Sequence, residues 1–192
     1  MKRLLLIIII AVISGLIYFL VPRREEPVEI IVTRQNITMK ITSSAFAHNG
    51  LIPKQYTCDG ENFNPPLKIS GTPSNAKSLA LIVDDPDAPG RTWIHWTLWN
   101  IDPKTIVIAE NNIPVGALEG VTDFGKPGYG GPCPPPNPDP SVGAGTHRYF
   151  FKIYALDTLL NLPASAKKSD IEAAMQGHIL DQAELIGLYR RS

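Results

Sequence analysis

The segment Trp93-Ile94-His95-Trp96-Thr97-Leu98-Trp99-Asn100-Ile101 constrains the fold more than any other. Side chains alternate between the two faces of an extended strand. That puts Trp93, His95, Thr97 and Trp99 on one side, and Ile94, Trp96, Leu98 and Asn100 on the other. Both sides are largely apolar, so a strand over residues 92–101 has to be covered on both faces, as a central strand of a sheet. Further strand patterns fall at 37–42, where Ile37, Met39 and Ile41 alternate with polar residues, and at 79–84, 106–109, 147–156 and 183–190. Gly- and Pro-rich connectors separate them, and the whole predicts a mainly β domain with one or two short helices. One helix has a start signal: Ser169 with Glu172 forms an S-x-x-E capping box, followed by Ile171, Ala174, Met175, His178 and Ile179 at helical spacing.

A different pattern opens the chain. Residues 4–21 carry no charge, are rich in Leu, Ile, Val and Phe, and would span roughly 27 Å as a helix, close to the apolar thickness of a bilayer. The run ends at Val21-Pro22-Arg23-Arg24 without small residues at a cleavage position, so an uncleaved anchor is favoured over a secretory signal. The expected organisation is a membrane anchor over 1–24, a mixed-charge linker over 25–36 and a folded domain over 37–192. Lys2 and Arg3 balance Arg23 and Arg24 across the apolar run. Only the short N-terminal tail then argues for orientation, and it places the domain outside a single-pass cell membrane.

The 192 residues carry 18 basic and 18 acidic side chains. Setting aside the four cations that bracket the apolar run leaves a mildly acidic domain, which excludes a basic nucleic-acid binder. Any recognition of an anion must therefore be local. Cys58 and Cys133 have no companion at metal-motif spacing and are either bridged, in an oxidising compartment, or two buried thiols. No metal or cofactor motif is present.

Several segments hold candidate chemistry. Asp84-Asp85-Pro86-Asp87-Ala88-Pro89-Gly90 places carboxylates at a strand end, with prolines fixing the turn. His95 lies in the tryptophan-rich strand, and His147 and Tyr149 share a face of the strand at 147–156. Gly128-Tyr129-Gly130-Gly131 opens a stretch in which residues 127–140 hold 7 of the 18 prolines. Read as a rigid polyproline connector, it has no chemical role. Read as a pocket wall, its glycines expose backbone amides to a ligand.

Together these motifs resemble the phosphatidylethanolamine-binding protein family in its bacterial and archaeal, Raf-kinase-inhibitor-like branch. The resemblance runs over about residues 37–191. Its carriers are Tyr56-Thr57-Cys58-Asp59-Gly60-Glu61-Asn62 with Pro65-Pro66-Leu67, Asp85-Pro86-Asp87-Ala88-Pro89, Trp93-Ile94-His95-Trp96, Gly128-Tyr129-Gly130-Gly131-Pro132-Cys133-Pro134-Pro135 and Gly145-Thr146-His147-Arg148-Tyr149. It implies a β-sandwich with a small pocket at one end for phosphate-type head groups. Asp85, Trp93, His95, Tyr129, Pro134, His147 and Tyr149 match the family's pocket positions. In that reading imidazole N–H groups and loop amides donate to anionic oxygens, Tyr149 adds a hydroxyl and Trp93 an apolar wall. The stretch 136–144 is longer than the usual link to the G-T-H-R motif.

The resemblance implies a non-enzymatic binding domain for a small anionic ligand, acting as an inhibitor or regulator of a protein partner such as a kinase or protease. One alternative is a small-ester or phosphate hydrolase using Asp85, His95 and His147, although no G-x-S-x-G elbow supplies a nucleophile. Another is a structural domain held at the cell surface by the anchor.

Overall fold

The computed structural model describes residues 38–136 and 145–191, within a compact unit that spans Ile37–Ser192. The strands are β1 (Lys40–Thr42), β2 (Gly50–Leu51), β3 (Leu67–Ser70), β4 (Ser78–Asp85), β5 (Trp93–Ile101), β6 (Val107–Ile108), β7 (Leu118–Glu119), β8 (His147–Leu156) and β9 (Ile179–Tyr189), with helix α1 (Lys168–Met175) between the last two. They form a six-stranded sheet in the order β2-β9-β8-β4-β5-β7 and a three-stranded sheet in the order β1-β3-β6. The central strands β4, β5 and β8 pair antiparallel, and β2 joins the edge parallel to β9. As the tryptophan-rich segment requires, the large sheet is covered on both faces. Ile41, Leu67, Ile69 and Ile108 of the small sheet, with Met39 just before β1, pack on Leu79, Leu81, Val83, Trp96, Leu98, Phe151 and Ile153. On the opposite face Ile171 and Met175 of α1, with Leu160 and Ala166, cover Ala80, Ile82 and Trp99.

Simple alternation fails along β5, however. Val83 pairs with Trp96 and Asp84 with Ile94, so His95 is the extra residue of a β-bulge. Trp96, Leu98 and Ile101 all lie in the sandwich core, while Trp99 lies under the helix. The 98-to-101 step is absorbed by Asn100 in the left-handed region at φ 55°, between the pairs Leu81–Leu98 and Leu79–Ile101. The Asn100 amide is fixed there by two bonds to Leu160, its Nδ2 donating to the carbonyl at 3.0 Å and its Oδ1 accepting from the N–H at 2.8 Å. The expected division of His95 and Trp96 onto opposite faces is thus corrected: the bulge turns both toward the sandwich side.

Helix α1 also begins differently. Ser169 lies inside it, and its start is closed by Asp170, whose carboxylate accepts the Lys167 N–H at 2.8 Å. Glu172 pairs instead with Lys168 at 3.0 Å. The helix stops at Met175, ahead of Gly177 at φ 81°, so His178 and Ile179 are not helical and Ile179 opens β9. The short helices are α1 and a 3-10 turn at Lys54–Tyr56.

The expected membrane helix and single-pass membrane location require correction. Among the described residues no helix is long and apolar enough to cross a membrane. Residues 4–21 and the linker over 25–36 lie outside the described residues. The fold assignment is therefore a mainly β sandwich with one α-helix among the described residues, and the anchor, with the location and orientation built on it, is withdrawn.

Candidate functional site

The β4 and β8 strands end side by side, which brings Asp85 next to His147. The His147 Nδ1 lies 2.7 Å from Asp85 Oδ2, and both residues are buried. Asp85 Oδ1 accepts the Asp87 N–H at 2.8 Å, a local turn that fixes the carboxylate. Asp87 in turn receives Arg148 Nε at 2.8 Å and NH2 at 2.7 Å, tying the turn to the start of β8. Those hydrogen bonds hold the Asp87 carboxyl below its ordinary range, against a smaller opposing effect of burial.

His95 enters from β5 because of the bulge. Its Nδ1 is 2.6 Å from the Gly130 carbonyl oxygen, and the Gly130 N–H donates back to the His95 carbonyl at 2.9 Å. A carbonyl only accepts, so Nδ1 carries the ring proton. Burial pushes the imidazole pKa down, opposed by the Gly130 carbonyl and by the charges of Asp85 and Asp84, so His95 favours its neutral form. Tyr149 lies between the histidines, its ring centroid 5.1 Å from that of His95 and 6.5 Å from that of His147. Its buried hydroxyl has no hydrogen-bond partner among the described residues. Burial first, then the Asp85 charge and, more weakly, the nearness of the Asp85 carboxylate to the hydroxyl raise its pKa, although no hydrogen bond of full geometry is formed.

These groups border a cavity of about 330 Å³, lined by Asp85, Trp93, His95 and His147 with Ala88, Pro89, Phe124, Cys133, Pro134 and Pro135. Its walls are mostly apolar. Trp93 meets Phe124 edge to face at 5.7 Å. Outside Trp93, Arg91 stacks at 5.3 Å and pairs with Asp123 at 3.0 Å. Cys58 and Cys133 are bridged, with Cα atoms 5.4 Å apart, and so attach the proline wall to the segment after the 3-10 turn. No group of three or more His, Cys, Asp or Glu among the described residues is arranged to hold a metal ion.

Of the residues singled out in the sequence, Asp85, Trp93, His95, Pro134 and His147 line this cavity, and Tyr149 lies buried against both histidines. Tyr129 does not line it. Its hydroxyl donates to the Tyr56 carbonyl at 2.9 Å and its ring packs on Trp96. The expected role of the glycine amides is corrected too. Gly130 N–H bonds His95, and Gly131 N–H bonds Asn62 Oδ1 at 2.8 Å, so neither is offered to a ligand. These glycines are needed for close approach instead: a Cβ on Gly130 would meet the Phe124 ring, and one on Gly131 the Tyr56 carbonyl and Asn62. Phe124 was missed because nothing in its neighbourhood, Thr122-Asp123-Phe124-Gly125, differs from an ordinary turn. The stretch 137–144 lies outside the described residues.

The fold and site define a two-sheet sandwich with a small, apolar-walled end pocket and a carboxylate–imidazole pair at its floor. The sequence matches the family described as "Phosphatidylethanolamine-binding protein" over residues 42–190, and the chain belongs to that family. Among its relatives, a UPF0098 protein of Methanothermobacter thermautotrophicus is 51% identical over 158 residues, which are 80% of this chain and 99% of that protein. Solved structures agree. A putative phosphatidylethanolamine-binding protein homologue from Chlamydia trachomatis is 40% identical, with a TM-score of 0.74 over 81% of this chain and 99% of its own. YbcL of E. coli, described as a new member of the mammalian family, is 29% identical, with a TM-score of 0.72 over 80% of this chain and 99% of its own.

Proposed function

We propose that the domain is a non-enzymatic binding module whose end pocket receives a small phosphate-type group. The observation that carries this reading is the buried Asp85–His147 pair at 2.7 Å, at the floor of an otherwise apolar cavity and beside the partnerless Tyr149 hydroxyl. A buried polar group without a partner is destabilising, and a ligand oxygen would satisfy it. The cavity volume is at the small end for ligand sites and suits a head group rather than a whole lipid. Asp85 holds the His147 ring so that its other nitrogen, Nε2, is left for the ligand. Membership of the family supports the same reading.

A hydrolase would use the same pair as a general base, but it needs a nucleophile or an activated water. No serine or threonine lines the cavity among the described residues, and Cys133 is bridged. Binding is therefore the better-supported function. The structural-domain alternative rests on residues 4–21, which lie outside the described residues. Titration calorimetry with inorganic phosphate and phosphoethanolamine should show saturable binding that His147→Ala abolishes. Absence of binding by the folded wild-type protein, or turnover of a phosphate or carboxylate ester that His147→Ala removes, would overturn the reading.

A further inference from the structure

We propose that a second groove, at the edge of the sandwich where β7 ends the large sheet, binds an uncharged, hydroxyl-rich ligand of the saccharide class. It shares no lining residue with the end pocket. The groove holds about 330 Å³ and is bordered by four asparagines, Asn62, Asn64, Asn111 and Asn112, and by Glu119 of β7. Its frame is fixed by bonds within the protein. Asn64 is 4% exposed and its amide is used on both sides: Nδ2 donates to the Ala109 carbonyl at 2.9 Å, and Oδ1 accepts the Asn112 N–H at 3.0 Å. The Asn111 N–H donates to the Asn64 carbonyl at 3.1 Å, so the loop that carries Asn111 and Asn112 is fastened to Asn64 by backbone and side chain. Asn62 and Asn111 are both held in the left-handed region, at φ 62° and 50°, a backbone state kept only where the surroundings enforce it.

What this frame leaves over is a set of hydrogen-bonding atoms. Asn62 Oδ1 accepts the Gly131 N–H at 2.8 Å and Asn112 Oδ1 the Ile113 N–H at 2.7 Å, while the amide nitrogens of Asn62, Asn111 and Asn112 donate to no described residue. Glu119 is half used in the same way. One oxygen accepts the indole N–H of buried Trp96 at 2.8 Å, and the other has no partner among the described residues. Asn62, Asn112 and Glu119 are thus each anchored through one atom and keep another to give. Phe63 and Tyr129 add ring surface, since the Tyr129 hydroxyl is committed to the Tyr56 carbonyl. Among the described residues no Lys or Arg borders the groove, and its one charge is a carboxylate, so an anion is disfavoured. Amide donors beside a carboxylate acceptor match hydroxyls, which donate and accept at once. A peptide brings one donor and one acceptor per residue, spaced about 3.3 Å along the chain. A sugar ring carries a hydroxyl on nearly every carbon and a C–H face for an aromatic ring, which suits several donors and an acceptor gathered in so small a volume.

The test is nitrogen-15 NMR of the full chain, following the side-chain amides of Asn62, Asn111 and Asn112 and the Trp96 indole during titration with maltotriose, cellotriose and triacetylchitotriose. At least one of these sugars should shift the signals saturably, with a dissociation constant of about 1 mM, the affinity of a small contact. Asn111→Gly removes one amide while glycine keeps the left-handed backbone without strain. It should weaken that sugar roughly three- to tenfold, the scale of one hydrogen bond, and leave inorganic phosphate binding unchanged. Glu119→Gln keeps an oxygen for the Trp96 indole and should weaken the sugar to a similar extent. Absence of shifts with all three sugars at about 50 mM, far above that affinity, would overturn the inference. So would a sugar affinity unchanged in both folded variants, or sugar-induced shifts confined to His95 and His147, which would move the sugar to the end pocket. A response to N-acetyl-tetraglycine amide with none to the sugars would assign the groove to peptide and overturn the saccharide class. None of these outcomes bears on phosphate binding at the end pocket, because the two sites have no residue in common.

Discussion

Asp84 and Asp85 are adjacent in sequence, end the same strand and are both buried, yet they serve opposite faces of the large sheet. Asp84 points to the helix side. There Lys152 Nζ meets both of its oxygens at 2.9 Å, and Lys168 of α1 approaches to 3.8 Å. Its charge is neutralised by ammonium groups whose long stems reach solvent. Asp85 points to the sandwich side, where its partner is one imidazole and its neighbours are a cavity and a partnerless hydroxyl. Burial and residue type are the same. What separates the two carboxylates is the partner each holds: solvent-reaching ammonium groups for Asp84, and for Asp85 one buried imidazole at the wall of a cavity.

Replacing each aspartate in turn is the sharpest way to break that contrast. Asp84→Ala leaves Lys152 without its carboxylate, and should lower stability in urea by about 3 kcal/mol, the bottom of the range for a disrupted buried pair because the ammonium can turn to water. Phosphate affinity of the folded variant should change less than in Asp85→Asn, because Asp84 lies on the other face of the sheet and makes no hydrogen bond to a pocket residue. Asp85→Asn should do the reverse. The amide oxygen can still accept from His147, so the stability change should be only about 1 kcal/mol. Phosphate binding by calorimetry should weaken by about 2 kcal/mol, as a charge-assisted hydrogen bond is lost behind the imidazole. If Asp84→Ala lost binding while folded, or Asp85→Asn kept it, the functional division between the faces would be wrong.

How much of this division can be read from the sequence follows from which interactions are local. The two apolar faces of residues 93–101 demanded a doubly covered sheet, and β8 matches the alternation at 147–156 residue for residue. Family motifs supplied Asp85, His95 and His147, and the structure gathers them around one cavity. Alternation nonetheless put His95 and Trp96 on opposite faces, because a bulge is a property of two strands in register and leaves no mark on one strand's pattern. The glycines of 128–131 were expected to offer amides to a ligand, whereas Gly130 and Gly131 are needed because Phe124, Tyr56 and Asn62 pack against their Cα atoms. Tyr129 matched a pocket position by motif, yet its ring packs on Trp96 and it does not line the cavity.

His95 offers a pH test of the sandwich face. Burial holds its folded pKa below the ordinary value, so as pH falls below about 6.5 the unfolded chain takes up a proton that the folded chain resists. This contribution therefore makes stability rise with pH, and it is lost as acidity increases from about 6.5 toward the folded value. The slope contributed by one such group is at most about 1.4 kcal/mol per pH unit. His95→Gln should flatten the urea-derived stability profile between about pH 6.5 and 5 relative to wild type, whatever its stability at neutral pH. Parallel profiles would mean that the imidazole is protonated as readily inside as outside, and would remove the argument that His95 presents a neutral acceptor.

The smallest expected effect concerns the rim, where Asp87 and Arg148 join the turn after β4 to the first turn-facing residue of β8. The pair is bidentate in geometry but lies in solvent, with Arg148 about half exposed, so screening leaves it little weight in stability. Its sign can still be measured. Because the Arg148 hydrogen bonds depress the Asp87 pKa, the stabilisation is fully present above the unfolded carboxyl value of about 3.9, and disappears as pH falls through the lower folded value. Arg148→Ala should thus melt slightly below wild type at pH 7, and the two melting curves should converge at acid pH as both carboxyls protonate. A constant gap across that range would show that Arg148 acts by stacking its guanidinium on Phe150, 5.5 Å away, rather than through Asp87. In that case the turn after β4 would be held by the Asp87 N–H to Asp85 carboxylate bond, the Arg148 backbone N–H to Asp87 and the His147 contact, without the guanidinium.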